Sequence, residues 1–92
     1  MAVTLDLEHS RYIFTDDEGV VAGEMTFLKE DGVLLLTKAE IWPERRGQGL
    51  GFPLVRQTLE MIGSEGHGRI RPVCPYVAKF LMKNPEFQYL VA

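Results

Sequence analysis

Apolar and polar residues alternate at the start of the chain, where Val3, Leu5 and Leu7 interleave with Thr4, Asp6 and Glu8. A period of two puts each set on its own face, so Val3–Leu7 is expected to be a half-buried strand. Glu8-His9-Ser10 reads as a turn, and Arg11–Thr15 as a second short strand with Tyr12 and Phe14 on one face. Thr15-Asp16-Asp17-Glu18-Gly19 reads as a loop. A third strand follows over Val20–Leu28, with Gly23 expected to mark a bulge. Asp31-Gly32, set between two apolar runs, is the strongest hairpin signal in the chain. It leads into a fourth strand, Val33–Ile41. The run Val33-Leu34-Leu35-Leu36 is unbroken, which predicts a central strand covered on both faces. These four strands are expected to form an antiparallel meander.

The period then changes. From Leu50, the apolar residues Leu54, Val55, Leu59 and Ile62 share one helical face, with Arg56, Gln57 and Glu60 largely opposite. The spacing predicts a helix over Leu50–Ile62 that stops at Gly63. Ser64 to Gly68 reads as a loop, Arg69–Val73 as a short fifth strand, and Pro75 as the opening of a second helix, Tyr76–Lys83, closed by Asn84-Pro85. Phe87, Tyr89 and Leu90 are expected in a strand or an extended segment. The fold class is therefore α+β: a strand meander followed by helix, strand, helix. A length of 92 residues suits one domain spanning 1–92.

Composition narrows the function more than the fold. A net charge of −3 offers no broad basic field to a nucleic acid, although it leaves room for a local anion pocket. Cys74 is the only cysteine, so neither an intrachain disulfide nor a cysteine zinc cage is available, and no metal site is expected. The N-terminal segment lacks the charged start and apolar core of a secretory signal, and no apolar run approaches the ~20 residues of a membrane span. The expected location is cytoplasmic.

The segment Glu40–Gly51, EIWPERRGQGLG, lies between the fourth strand and the first helix. Helix N-termini leave amide N–H groups unpaired and carry partial positive charge, and glycines let that backbone approach an anion closely. Arg45 and Arg46 can add charge beside the amides. A plain glycine turn is the bland alternative. The P-loop pattern is absent, and the dinucleotide pattern fails at Phe52, where a glycine is required. The arrangement Arg46-x-x-Gly49-x-Gly51 does match a pattern: the R/Q-x-x-G-x-G/A loop of the GNAT acetyltransferase superfamily, which binds the pyrophosphate of acetyl-CoA.

The likeness extends from about Leu7 onward. Arg46-Gly47-Gln48-Gly49, Cys74-Pro75-Tyr76 and Asn84-Pro85 before a Tyr-Leu ending together resemble the small, single-domain GNAT-like N-acetyltransferases. That resemblance implies a trimmed GNAT fold and acetyl-CoA as cofactor and partner. Its pantetheine arm would run beside Ala39–Ile41, and its pyrophosphate would rest on Arg45, Arg46, Gly47, Gln48, Gly49, Leu50 and Gly51. The thioester would then lie where the fourth and fifth strands splay apart, near Cys74. The family's His-Thr-Glu-Val falls here on Lys38-Ala39-Glu40-Ile41, so the histidine and threonine are lost and the carboxylate is kept. Pro43 is displaced by Trp42, and Pro53 stands in the first turns of the helix.

Acetyl transfer to an amine requires a proton acceptor, stabilisation of the thioester oxygen, and protonation or stabilisation of the departing thiolate. Glu40 is the candidate base; the alternative is a surface carboxylate paired with Arg45 or Arg46. Cys74 is either an acetyl acceptor, a wall of the thioester pocket, or a small buried hydrophobe. Tyr76 either protonates the thiolate or packs on the sheet. Lys79 and Lys83, one turn apart, either meet the adenosine phosphate or stay solvated. His9 and His67 are given no chemistry. The expected function is acetyl-CoA-dependent N-acetyl transfer to an amine, on a protein lysine or a small molecule, by direct attack in a ternary complex. Two rivals stand beside it: a non-catalytic CoA-binding sensor or interaction module, and a thiol enzyme with a histidine beside Cys74.

Overall fold

The alternating residues pair as strands. The computed structural model describes residues 1–92. Strands β1 (Ala2–Asp6), β2 (Arg11–Thr15), β3 (Val21–Glu30), β4 (Val33–Ile41) and β5 (Arg69–Pro72) form one sheet in the order β1-β2-β3-β4-β5. The first four strands pair antiparallel, as the meander required. Strand β5 pairs parallel to β4, which is possible because helix α1 (Gly51–Glu65) carries the chain back across the sheet between them. Helix α2 (Pro75–Lys83) follows. Short 3-10 helices occupy Pro43–Arg45 and Pro85–Leu90. The α+β class and the strand-meander, helix, strand, helix order both hold.

The hairpin forms where expected, with Asp31 at φ 51° and Gly32 at φ 78°. Strand β1 begins one residue earlier than the pattern suggested, and Leu7 is left exposed in the turn. Near Gly23 the register slips: Phe14 faces Gly23 but Thr15 faces Val21, so the extra residue is Ala22. Gly23 itself is held by close approach, because a Cβ there would run into the Glu40 carbonyl.

Strand β4 corrects the expectation of coverage on both faces. Leu34 and Leu36 are buried, while Val33 and Leu35 are only half-buried and Leu28 on the neighbouring strand is exposed. Both helices pack on one face of the sheet; the other stays open. A second register slip decides what the far half of β4 presents. Phe27 pairs with Leu36 but Thr26 with Lys38, so Thr37 is inserted. Its hydroxyl donates to the Thr26 carbonyl at 3.1 Å. The insertion reverses the alternation. Beyond it Ala39 and Ile41 face the helices, opposite Met25 and Gly23, while Lys38 and Glu40 face the open side, opposite Thr26 and Glu24.

Helix α1 buries Leu54, Val55, Thr58, Leu59 and Ile62 along one stripe. Each fully buried aliphatic contributes about 1.5–3 kcal/mol relative to exposure. Thr58, which a simple apolar pattern passes over, is accommodated because its hydroxyl donates to the Leu54 carbonyl at 2.8 Å. The helix does not stop at Gly63. It continues to Glu65 and ends at Gly66, which takes φ 67° and donates its amide to Ile62. Gly63 lies inside the helix, where the Tyr89 hydroxyl occupies the space a side chain would need. The chain terminus also departs from expectation: Pro85–Leu90 is a 3-10 helix, not a strand. Its three-residue turn stacks Phe87 and Leu90 on one side, and both are buried. Only Val91 makes a strand-like bridge, to Ile70.

Candidate active site

The parallel pairing of β4 and β5 ends at Leu36 and Pro72, where the Cys74 amide makes a last bond to the Leu36 carbonyl at 2.8 Å. Beyond that point β4 runs on to Ile41 paired with β3 alone, and on the β5 side the sheet opens. Because of the Thr37 insertion, the side chains that line the opening on the helix side are Ala39 and Ile41. With Arg46, Gly51, Leu54 and Tyr76 they enclose a cleft of about 410 Å3. A second cleft, of about 280 Å3, adjoins it through Tyr76 and is lined also by Phe52, Lys79, Phe80, Lys83 and Asn84. The two make a groove leading from the strand edge, past the start of α1, onto the face of α2.

The glycine turn forms the rim of this groove. After the 3-10 helix Pro43–Arg45, the chain turns with Gly47 at φ 83° and Gly49 at φ 70°, conformations that disfavour a side chain. Leu50 is the N-cap of α1, and its side chain is buried. The backbone amides from Gly47 to Phe52 find no acceptor within the chain. Pro53 offers no amide, but it falls within the first helical turn, where that amide would be unpaired anyway. The Arg46 guanidinium donates to the Ile41 carbonyl at 3.1 Å, which holds it over the cleft. Gly51 matters for its lack of a side chain: a Cβ there would come within 2.9 Å of the Tyr76 hydroxyl, so the ring leans against the helix start. Open amides, helix polarity and an adjacent guanidinium suit a diphosphate, and the apolar cleft suits a thin acyl-bearing arm.

Arg45 is turned elsewhere. It is ion-paired with Asp16 in the β2–β3 loop. The Arg45 guanidinium, then the amide of Val20 and that of Glu18, hold the Asp16 carboxyl below its usual pKa. This contact anchors the 3-10 helix to the meander and is invisible in the sequence.

The remaining candidates separate. Glu40, 26% exposed, sits on the open face of the sheet. There its carboxylate lies 3.0 Å from the Lys38 ammonium and 3.9 Å from Arg46. Tyr76 is half exposed and shared by both clefts; Lys79 and Lys83 line the outer one. Cys74 is only 7% exposed and belongs to the apolar core, lining neither cleft. The histidines are engaged elsewhere: His9 with Asp6 at 2.9 Å, and His67 Nδ1 with the Tyr12 hydroxyl at 2.8 Å. Phe52 and Asn84 complete the groove and were not anticipated. An exposed aromatic beside the glycine turn, off the helix's buried stripe, was the available signal for Phe52.

The fold and the sequence together match those of an acyltransferase family. Comparison with known proteins gives the family. Residues 11–90 match the family described as GCN5-related N-acetyl-transferase, and the chain belongs to it. The fold is similar to the solution structure of a candidate GCN5-like N-acetyltransferase from Staphylococcus aureus. The two are 20% identical with a TM-score of 0.67, over 98% of this chain and 86% of that one. No curated protein matches the chain by sequence. No helix is long and apolar enough to cross a membrane.

Proposed function

We propose that residues 1–92 act as one acetyl-CoA-dependent N-acetyltransferase domain whose acceptor is an amine. The observation that carries this reading is the conjunction of the unpaired β4 edge, the open amides of Gly47–Phe52 and the cleft between them. In this reading the donor's pyrophosphate is held by Arg46 and the amides of Gly47, Gln48, Gly49, Leu50 and Gly51. Its pantetheine arm lies along Ala39 and Ile41, and its adenosine phosphate meets Lys79 and Lys83. Arg45 serves the loop indirectly, through Asp16.

The acceptor approaches from the open face, where Glu40 takes a proton from the attacking nitrogen. Backbone amides at the strand edge hold the thioester oxygen as charge builds on it. The Tyr76 hydroxyl, which has no partner in the chain, donates to the departing thiolate. Direct attack is favoured over a Cys74 relay, because the thiol is packed in the core and neither histidine is free to deprotonate it. The unpaired thiol suits a reducing compartment, and we place the protein in the cytoplasm.

Calorimetry with acetyl-CoA, followed by measurement of CoA release across a panel of amines, tests the reading. Saturable binding with amine-dependent release is the expected result. Saturable binding without release from any amine would favour a sensor. Absence of binding to folded protein would refute the donor site. Intact mass after incubation separates the routes, since an acetyl group on Cys74 would overturn direct attack.

A further inference from the structure

Lys38 occupies the position where the resemblance places a histidine. Its ammonium lies 3.0 Å from the Glu40 carboxylate. Two positions apart on one strand, they share a face, and the inserted Thr37 makes that the open face while Ala39 and Ile41 turn toward the cleft. Lys38 also lies just past Leu36, where the parallel pairing ends and the sheet opens. Its side chain is 62% exposed and is attached to the strand that forms one wall of the opening. Of the chain's lysines, Lys29 sits near the far hairpin, and Lys79 and Lys83 on α2; Lys38 is the one paired with a carboxylate.

We propose that Lys38 is itself an acetyl acceptor, modified in cis by its own chain. This rests on the donor site described under Proposed function. The Lys38 ammonium passes one proton to Glu40 across their 3.0 Å ion pair. The neutral nitrogen forms a bond to the thioester carbonyl carbon, and the carbon–sulfur bond breaks. The second nitrogen proton goes to the departing thiolate, leaving an amide and free CoA, and Glu40 returns its proton to water. Tethering replaces an encounter, so the reaction is unimolecular in the loaded protein. The product amide carries no charge and ends the Lys38–Glu40 ion pair, leaving Glu40 only its 3.9 Å contact with Arg46.

The test is site-resolved mass spectrometry of the whole chain incubated with acetyl-CoA, with CoA affinity measured by calorimetry on the same material. Acetylation blocks trypsin at Lys38, so the modified protein yields Glu30–Arg45 as one peptide. The expected result is labelling of Lys38 at least about tenfold faster than of Lys29, Lys79 or Lys83, well within what positioning supplies. The rate per molecule is expected not to change with protein concentration. In Glu40→Gln it falls about a hundredfold, and Lys38→Arg yields no acetylated Glu30–Arg45 peptide. Labelling no faster than at the other lysines, a rate that climbs with protein concentration, or an unchanged rate in Glu40→Gln overturns the proposal. CoA binding with Lys38 unlabelled overturns self-acetylation alone; no binding and no label overturns the donor site as well.

Discussion

Replacing Gly49 with valine tests the proposed phosphate turn most directly, because the structure separates its cost to folding from its cost to binding. Gly49 has φ 70°, and a β-carbon built there meets no atom within 4 Å. The penalty is therefore conformational, with no collision added. An L-residue in the left-handed region costs about 1–2 kcal/mol. The turn is exposed and its amides are unbonded, so it can relax to an ordinary φ without breaking an internal hydrogen bond. Global stability should thus fall by no more than about 1–2 kcal/mol. Relaxation, however, reorients the unbonded amides that follow Gly49. A hydrogen bond to a charged group contributes about 1.5–3 kcal/mol, so losing one weakens CoA binding about ten- to a hundredfold. Calorimetry with CoA, paired with a thermal melt, measures both effects. Gly32→Val is the control: it has φ 78° and the same open surroundings, but it lies in the hairpin at the other end of β4. It should cost similar stability and leave CoA affinity unchanged. If Gly49→Val binds CoA as well as the wild type, or if both variants weaken binding alike, the pyrophosphate is not on this turn.

Further expectations follow from the same geometry. Gly51→Ala introduces a Cβ within 2.9 Å of the Tyr76 hydroxyl and pushes that ring into the groove, so titration should show weaker CoA binding with an unchanged melting temperature. Glu40→Gln should lower amine-dependent CoA release about a hundredfold while CoA still binds; equal turnover would remove Glu40 from the proton path. The buried Tyr12 phenol has its pKa raised to about 12 by desolvation, above the ordinary 10.0. A raised folded-state pKa leaves stability intact below pH 10 and erodes it as pH climbs from 10 toward 12. Denaturant melts on wild type and Tyr12→Phe should show that decline only in the wild type. The Asp16 carboxyl is held below its ordinary 3.8, chiefly by Arg45. A lowered folded-state pKa gives stability that is present above the ordinary value and lost as pH falls through the folded one. Asp16→Asn should therefore melt lower at neutral pH and depend less on pH below about 4.

Much of the candidate site was legible because its signals are local. The glycine turn could be read since positive φ is tolerated by glycine almost alone, and Gly47 and Gly49 both take it. Leu54, Val55, Leu59 and Ile62 announced the buried side of α1 through spacing alone. Glycine as a stop signal misled at Gly63, because the Tyr89 hydroxyl, far along the chain, reserves that space. Arg45 read as a second phosphate ligand or a partner for nearby Glu40; the partner it takes is Asp16, on another loop.

The sequence by itself determined the meander strands, the hairpin, both helices, the glycine turn and the family resemblance, because each depends on residues within a few positions of one another. Tertiary structure decided the rest. It set β5 parallel to β4 and ended their pairing at Leu36, and so placed the opening. It inserted Thr37 into the register, and so chose which of Ala39, Glu40 and Ile41 meets the cleft and which meets the open face. It packed Cys74 into the core and left Tyr76 at the junction of the two clefts. A one-residue slip costs little locally and reverses every side chain beyond it, so the choice lies with the partner strand and the packed core, which periodicity along a single strand does not encode.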